Sequence, residues 1–217
     1  LRPIPSGRMT PHAVLAFGAM LAVTATWLLA LYVNVLTAAL ALGGFYFYVF
    51  VYTRFLKRTT PQNIVIGGAA GAFPPLVGWA AVTGRVDLAA WYLFLIVFYW
   101  TPPHFWALAL NKQRDYGRAG VPMAPLVWGE RETMWQMFWY TIVLLVLTIL
   151  PCTFGAFGWI YGASAVVLGG ILLWGTVNVM RAPEGEWSAP AWWVYKYSLL
   201  YLALLFVAMV VDRRILT

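Results

Sequence analysis

The segment from residue 111 to residue 123 carries side chains well suited to binding an anion. Three cations, Lys112, Arg114 and Arg118, surround the carboxylate of Asp115. A diphosphate needs cations of this kind together with Mg²⁺, which usually takes one or two protein carboxylates and leaves its other positions to phosphate and water. The same residues also suit a plain surface loop with one local ion pair. Spacing alone does not separate the two interpretations.

A second set of polar residues lies inside or beside apolar runs. His104 directly follows two prolines, which remove backbone hydrogen bonds from a helix. An ionisable residue inside a membrane-spanning segment usually marks a functional site. His104 is therefore interpreted as a haem-iron ligand, as a polar substrate contact, or as a neutral histidine that satisfies a freed carbonyl. Asn63 adds hydrogen-bonding groups close to the cations Lys57 and Arg58.

Aromatic residues make up 18% of the chain, and we predict two roles for them. Most are expected to form belts at the two membrane interfaces. A minority at mid-depth is predicted to line a cavity, where aromatic faces stabilise a cation. The candidates for the second role are Tyr46, Tyr48, Tyr99 and Trp106.

The composition indicates what kind of molecule must position these residues. Of 217 residues, 63% are hydrophobic and 10% are charged, and the mean hydropathy is +0.77. Soluble domains carry about 25% charged residues, so the chain is an integral membrane protein and not a cytosolic enzyme. Its single cysteine, Cys152, excludes a disulfide within the chain. The net charge of +7 indicates membrane topology and anionic lipid, and we expect no nucleic acid as a partner.

Seven apolar stretches are long enough to cross a bilayer as helices, which requires about 20 residues each. They lie at 12–33, 35–53, 63–83, 89–110, 135–157, 159–180 and 192–211. None alternates with a period of two residues, the pattern of a transmembrane strand. The sequence therefore predicts an all-α fold, a polytopic transmembrane helix bundle.

Lysine and arginine are distributed unequally between the two sides of this bundle. One side receives eleven cations and the other receives three. The eleven are Arg2, Arg8, Arg54, Lys57, Arg58, Lys112, Arg114, Arg118, Arg131, Arg181 and Lys196, and the three are Arg85, Arg213 and Arg214. Because cations concentrate in cytoplasmic loops, we expect the first side to be cytoplasmic. The odd number of helices then places the C-terminus outside.

Three blocks of the sequence resemble the protohaem IX farnesyltransferase family, whose members are also called haem O synthases. The blocks are residues 60–79 (TPQNIVIGGAAGAFPPLVGW), 100–110 (WTPPHFWALAL) and 115–123 (DYGRAGVPM). The run at residues 2–8 (RPIPSGR) is similar to the wider superfamily of intramembrane aromatic, or UbiA-like, prenyltransferases.

The resemblance implies a bundle of nine helices around a central cavity. It implies transfer of a farnesyl group from farnesyl diphosphate to a vinyl group of haem B, with addition of water to give haem O. It also implies Mg²⁺ as the cofactor, bound to Asp115 through the diphosphate, with Lys112 and Arg114 as further catalytic residues. The substrate-binding residues that it implies are His104, Asn63, Arg58, Arg118, Tyr116 and Trp106.

The same resemblance implies a place in the cell and a set of partners. Members of the family are expected in the bacterial inner membrane with their catalytic loops in the cytoplasm. The expected partners are haem B, farnesyl diphosphate and membrane lipid. Haem A synthase or a terminal oxidase assembly factor is the protein partner that the product implies.

The chain departs from the family pattern at its start. The superfamily carries an Asp-rich motif just before the run at residues 2–8, where this chain begins. We therefore expect residues 1–217 to form a single transmembrane prenyltransferase domain with seven of nine helices and without the first motif. That expectation leaves open whether these residues are active alone. Two other functions fit the same features, a small-molecule carrier and a haem-binding protein without catalytic activity.

Overall fold

The computed structural model describes residues 3–216. Arg2, which we predict on the cytoplasmic side, lies outside the described residues. All regular structure in this range is helical. The α-helices are α1 (Pro11–Tyr32), α2 (Val35–Tyr46), α3 (Lys57–Thr59), α4 (Asn63–Thr83), α5 (Leu88–Asn111), α6 (Gln113–Arg118), α7 (Ala124–Val127), α8 (Glu130–Thr153), α9 (Trp159–Arg181) and α10 (Ser188–Leu216). A π-helical segment, Phe47–Leu56, connects α2 to α3.

Among the described residues, seven helices are long and apolar enough to cross a membrane, which confirms the predicted count. The second span is longer than predicted, because α2, the π-helical segment and α3 run on as one helix over Val35–Thr59. Helix α8 begins earlier, at Glu130, because an acidic first turn is stabilised by the positive end of the helix dipole. It also ends earlier, at Thr153, shortly before Gly155 adopts a φ of 72°.

Helix α5 is the centre of the bundle and packs against α4, α8 and α10. Helix α9 closes a four-helix cluster by packing against α8 and α10. On the other side of α5, helices α4, α2 and α1 follow one another in a row, and within the described part of the chain α1 contacts α2 alone. Half of the residues of α5 are buried, whereas α1 has no buried residue.

Proline pairs occur in α4, at Pro74 and Pro75, and in α5, at Pro102 and Pro103. Both helices nevertheless continue through their proline pairs without interruption. The prolines of α5 are buried in the centre of the bundle, where neighbouring helices surround the backbone.

The connections between helices lie at two opposite ends of the bundle. We call the end with residues 54–62, 111–129 and 182–187 the basic end. The opposite end holds the turn between α1 and α2, the turn between α4 and α5, and the last turn of α10. Asn34 joins the turn between α1 and α2 to the last turn of α4, because its side-chain amide donates to the carbonyl of Ala80 at 2.9 Å.

Candidate functional site

A cavity of about 890 Å³ lies between α2, the π-helical segment, α4 and α5, and we call it the apolar cavity. Lys57 is the one charged residue among the described residues that line it. Tyr48 and Tyr52 reach it from the π-helical segment, and Trp100 and Phe105 reach it from α5. Its volume lies within the range of about 300–1,000 Å³ for small-molecule sites. An apolar wall with a cation at one end suits an apolar chain that carries an anionic group.

Glycines of α4 allow close approach at the wall of the apolar cavity. A side chain at Gly67 would collide with the ring of Tyr52. A Cβ atom at Gly68 would lie 3.0 Å from the side chain of Thr101, so this glycine permits α4 to contact α5. Gly71, in contrast, has open space around it and forms part of the cavity lining. The glycine-rich run therefore both shapes the cavity and brings two helices together.

A polar pocket of about 530 Å³ lies at the basic end. Its lining includes Lys112, Arg114 and Asp115, together with Glu130 and Trp187. The Nζ atom of Lys112 lies 3.5 Å from Oδ2 of Asp115, and these side chains are 46% and 63% exposed. The structure therefore brings the three predicted catalytic residues together, but at the polar pocket and not at the apolar cavity.

Glu130 joins the elements that surround the polar pocket. Gln113 donates to Oε1 of Glu130 at 2.7 Å, and the indole N–H of Trp187 donates to Oε2 at 2.7 Å. The hydroxyl of Ser188 donates to Oδ1 of Asn111 at 2.6 Å, which adds a bond between α10 and α5. These bonds fix the position of the segment that carries Lys112 and Asp115.

Tyr116 follows Asp115 in the chain and lies at the basic end, but it is not among the described lining residues of the apolar cavity or the polar pocket. The substrate contact predicted for Tyr116 stays a prediction. Burial raises the pKa of the Tyr116 phenol, and the nearby Tyr195 and Asp115 raise it further. The phenol is therefore neutral near pH 7 and is able to donate a hydrogen bond.

Asn63 is fully buried at the start of α4. Its amide nitrogen lies 2.6 Å from the carbonyl oxygen of Thr60 and 3.3 Å from that of Pro122, so it ties α4 to the loop after α6. Its Oδ1 is shielded from solvent and has no hydrogen-bond partner within residues 3–216. Buried acceptors without partners are uncommon in native proteins. A substrate contact at Asn63 stays a prediction.

His104 is 4% exposed and lies between two aromatic rings. Its ring centroid is 4.3 Å from that of Trp100 and 4.7 Å from that of Tyr195, and both pairs are stacked. Its Nδ1 lies 2.7 Å from Oγ of Ser198, which donates to the carbonyl of Tyr195 at 2.8 Å. The imidazole of His104, the hydroxyl of Ser198 and the carbonyl of Tyr195 therefore form one buried hydrogen-bond network.

The structure separates the remaining predicted site residues. His104 and Trp106 are not among the lining residues of the apolar cavity. Trp106 is fully buried and makes edge-to-face contacts with Trp128 and Tyr140. Arg58 and Arg118 are exposed at the basic end and line neither the apolar cavity nor the polar pocket. The substrate contacts predicted for these four residues stay predictions.

The sequence analysis assigned no site role to two residues that line these cavities. Lys57 was noted only as a loop cation, because its place at the cavity depends on the π-helical turn before it. Glu130 was not singled out, since Gln113 and Trp187 are 17 and 57 positions away in the chain. The sequence signal that could have identified Glu130 is Gly129, which directly precedes the acidic first turn of α8. In the structure this glycine has a φ of 86°.

The described residues offer limited means to hold a metal ion. Within residues 3–216, no group of three or more His, Cys, Asp or Glu residues is placed to bind one. Both oxygens of Glu130 already accept hydrogen bonds, whereas Asp115 is exposed. Asp115 therefore fits Mg²⁺ when phosphate oxygens and water supply the other ligands.

Residues 1–205 match the UbiA prenyltransferase family. A protein named protoheme IX farnesyltransferase from Roseiflexus sp. (strain RS-1) is 59% identical over 212 residues, which cover 98% of this chain and 39% of that protein. One of the same name from Alkalilimnicola ehrlichii is 51% identical over 214 residues, which cover 99% of this chain and 70% of that protein. The chain thus spans about two fifths of the Roseiflexus protein.

A solved structure of a digeranylgeranylglyceryl phosphate synthase in membranes has a similar fold. The TM-score is 0.76, and the match covers 97% of this chain and 73% of that chain. The sequence identity is 18%, so this likeness concerns the fold alone.

Proposed function

Because the chain belongs to the UbiA prenyltransferase family, we propose that the protein transfers a farnesyl group from farnesyl diphosphate to a vinyl group of haem B, forming haem O. The observation that carries this proposal is the similarity to proteins named protoheme IX farnesyltransferase. Those from Roseiflexus sp. and Alkalilimnicola ehrlichii are 59% and 51% identical over nearly the whole chain.

The proposed position of farnesyl diphosphate follows from the chemistry of the two cavities. The farnesyl chain occupies the apolar cavity, whose wall is rich in glycine and aromatic residues. The diphosphate lies toward the basic end, where Lys57 lines the cavity. Lys112 and Arg114 add positive charge from the polar pocket. At the same end, Tyr116 is proposed as a neutral hydrogen-bond donor, because burial raises the pKa of its phenol.

The proposed reaction begins when the bond between the first farnesyl carbon and its oxygen breaks, and the electron pair leaves with diphosphate. Cations at the basic end stabilise the leaving group. Tyr48 and Tyr52, whose rings line the apolar cavity, stabilise the allylic cation. The π electrons of the haem vinyl group then form the new carbon–carbon bond. Water adds to the resulting carbocation and releases a proton, so no covalent enzyme nucleophile is needed.

Mg²⁺ is the cofactor proposed for this reaction, and it would add positive charge at the diphosphate. Asp115 is the residue proposed to hold it, in agreement with the exposed position of this carboxylate. Lys112 contacts Asp115 and so orients it, while it also carries charge toward the pocket.

The proposed location is the bacterial inner membrane, with the basic end in the cytoplasm. Seven potential spanning helices within the described residues and the cations of the basic end support this orientation. Haem B would enter from the membrane, and haem A synthase or a terminal oxidase assembly factor would take up the product.

Product analysis by mass spectrometry tests this function. Membranes that contain the chain, and membranes that contain it joined to the unmatched part of the Alkalilimnicola ehrlichii relative, receive haem B, farnesyl diphosphate and Mg²⁺. Haem O from either is the expected result. The relative itself is the positive control. If the relative forms haem O and both other samples bind haem without changing it, a carrier or a non-catalytic haem-binding protein replaces the proposal.

A further inference from the structure

The apolar cavity has a defined length along α4. Its lining on this helix begins at Ile64, next to the basic end, and reaches Gly78 toward the opposite end of the bundle. At a rise of about 1.5 Å per residue, these two positions lie about 21 Å apart along the helix axis. Lys57 lines the cavity at the basic end. A diphosphate bound there and the chain attached to it therefore share this length.

The far end of the apolar cavity is closed where α2 meets α4. Ala41 of α2 lines the cavity, whereas Ala38, about one turn nearer the end of the bundle, is 3% exposed and is not part of the lining. On α4, Ala80 follows Gly78 and is fully buried. The side-chain amide of Asn34 donates to the carbonyl of Ala80 at 2.9 Å and holds the start of α2 against α4. These contacts limit how far a bound chain extends past Gly78.

The wall that α4 gives to the cavity has a small residue at each turn. Gly67, Gly71, Pro74 and Gly78 all line the cavity, and because successive members are three or four positions apart, they lie on one face of the helix. The ring of Tyr52 covers this face at Gly67. Nothing lies within 4 Å of a Cβ atom built at Gly71 or at Gly78. A chain that lies along this face therefore finds open space at both glycines.

The length of the cavity matches a prenyl diphosphate of one size. An isoprene unit adds four carbon–carbon bonds of about 1.5 Å in a zigzag and so measures about 5 Å, close to the pitch of one helical turn. Three units measure about 15 Å and leave about 6 Å of the cavity for a diphosphate beside Lys57. A fourth unit would extend the chain to about 20 Å and leave the diphosphate almost no room.

We infer that Gly78 and the closed end behind it set the length of the prenyl chain that the protein accepts, at three isoprene units. The position of this chain rests on the proposed function, which places farnesyl diphosphate in the apolar cavity. In that position the first unit ends beside Gly71 and the third ends beside Gly78. A larger side chain at Gly78 removes space from the third unit alone. A larger side chain at Gly71 removes space from the second unit as well.

Isothermal titration calorimetry in detergent, with Mg²⁺ and without haem, tests this length limit with geranyl, farnesyl and geranylgeranyl diphosphate. The unchanged chain should bind farnesyl diphosphate about tenfold or more tightly than geranylgeranyl diphosphate, because the fourth unit is excluded from the apolar cavity. Gly78→Leu should weaken farnesyl diphosphate about tenfold or more and leave geranyl diphosphate within about twofold. Gly71→Leu should weaken both. Gly170→Leu, at an exposed glycine of α9 with nothing within 4 Å of its Cβ position, is the control and should change neither.

The thermal unfolding midpoint shows whether each variant is folded. If Gly78→Leu does not fold, Ala41→Leu narrows the same end of the cavity from α2 and should weaken farnesyl diphosphate in the same way. Equal affinity of the unchanged chain for farnesyl and geranylgeranyl diphosphate overturns the length limit. So does a folded Gly78→Leu variant that weakens farnesyl and geranyl diphosphate equally, or the absence of binding by any of the three.

Haem O formation, measured separately, distinguishes a failure of the length limit from a failure of the proposed function. If the unchanged chain shows the expected length preference but forms no haem O when joined to the unmatched part of its relative, the proposed function is wrong and the length limit holds. If haem O forms and the length preference is absent, the proposed function holds and the length limit is wrong.

Discussion

His104 of α5 and Ser198 of α10 are joined by a hydrogen bond of 2.7 Å, although 94 positions separate them in the chain. The indole N–H of Trp100 donates to the backbone carbonyl of the same serine at 2.8 Å. One residue of α10 thus receives bonds from two successive turns of α5. This contact fixes the orientation of the imidazole that the sequence singled out.

Ser198→Ala should destabilise the protein by about 1–3 kcal/mol, because it removes the side-chain hydrogen-bond partner of the buried Nδ1 of His104. The thermal unfolding midpoint in detergent measures this effect. Ser164→Ala is the matched control, since Ser164 donates only to the carbonyl of Ile160 in its own helix at 2.8 Å. Equal losses in the two variants would contradict the interpretation.

Lys57→Gln should raise the KM for farnesyl diphosphate about tenfold or more, because Lys57 is the cation that lines the apolar cavity. Arg54→Gln is the control, since this residue of the π-helical segment is exposed and lines neither site. Steady-state kinetics of haem O formation measure both. A larger effect at Arg54 would place the diphosphate outside the apolar cavity.

Asp115→Asn should abolish haem O formation and leave haem binding intact. The carboxylate is exposed, and its ion pair with Lys112 contributes at most about 1 kcal/mol to stability. Product mass spectrometry, haem absorbance and the unfolding midpoint together separate a catalytic defect from a folding defect. Unchanged turnover would remove Asp115 from the mechanism.

Gly67→Ala should destabilise the protein by about 1–3 kcal/mol, because its new methyl group collides with the ring of Tyr52. Gly71→Ala is the control, since nothing lies within 4 Å of the position of its Cβ atom. Alanine is the better helix former, so the control should be neutral or slightly stabilising. Thermal unfolding distinguishes the two, and adding Tyr52→Ala to Gly67→Ala should restore part of the loss.

Tyr116 should ionise above the ordinary tyrosine pKa of about 10, since burial, Tyr195 and Asp115 raise the pKa of its phenol. The neutral phenol then favours the folded state below pH ~10, and this contribution is lost as the pH rises through the folded-state pKa. Tyrosinate absorbance of the protein minus that of Tyr116→Phe reports the titration. In denaturant the same difference should titrate near pH ~10, and identical curves in both states would contradict the expectation.

The apolar pattern of the sequence predicted the seven spans because a bilayer demands about 20 apolar residues from each. It also grouped Lys112, Arg114 and Asp115, which are neighbours in the chain. The sequence analysis did not predict that Glu130 contacts Trp187 or that His104 stacks on Tyr195. Those contacts join residues far apart in the chain, and their side chains meet only after the helices pack.

The position of Asp212 has a consequence for the order in which the protein is made. This residue of α10 accepts hydrogen bonds from the backbone N–H groups of Gly158, which caps the start of α9, and of Tyr161 in its first turn. The ribosome synthesises α9 before it reaches residue 212. Until α10 enters the bilayer, the carboxylate of Asp212 cannot accept hydrogen bonds from these two N–H groups. Helices α9 and α10 are therefore expected to insert as a hairpin, and a nascent chain that stops short of Asp212 should expose an unstable α9 to membrane quality control.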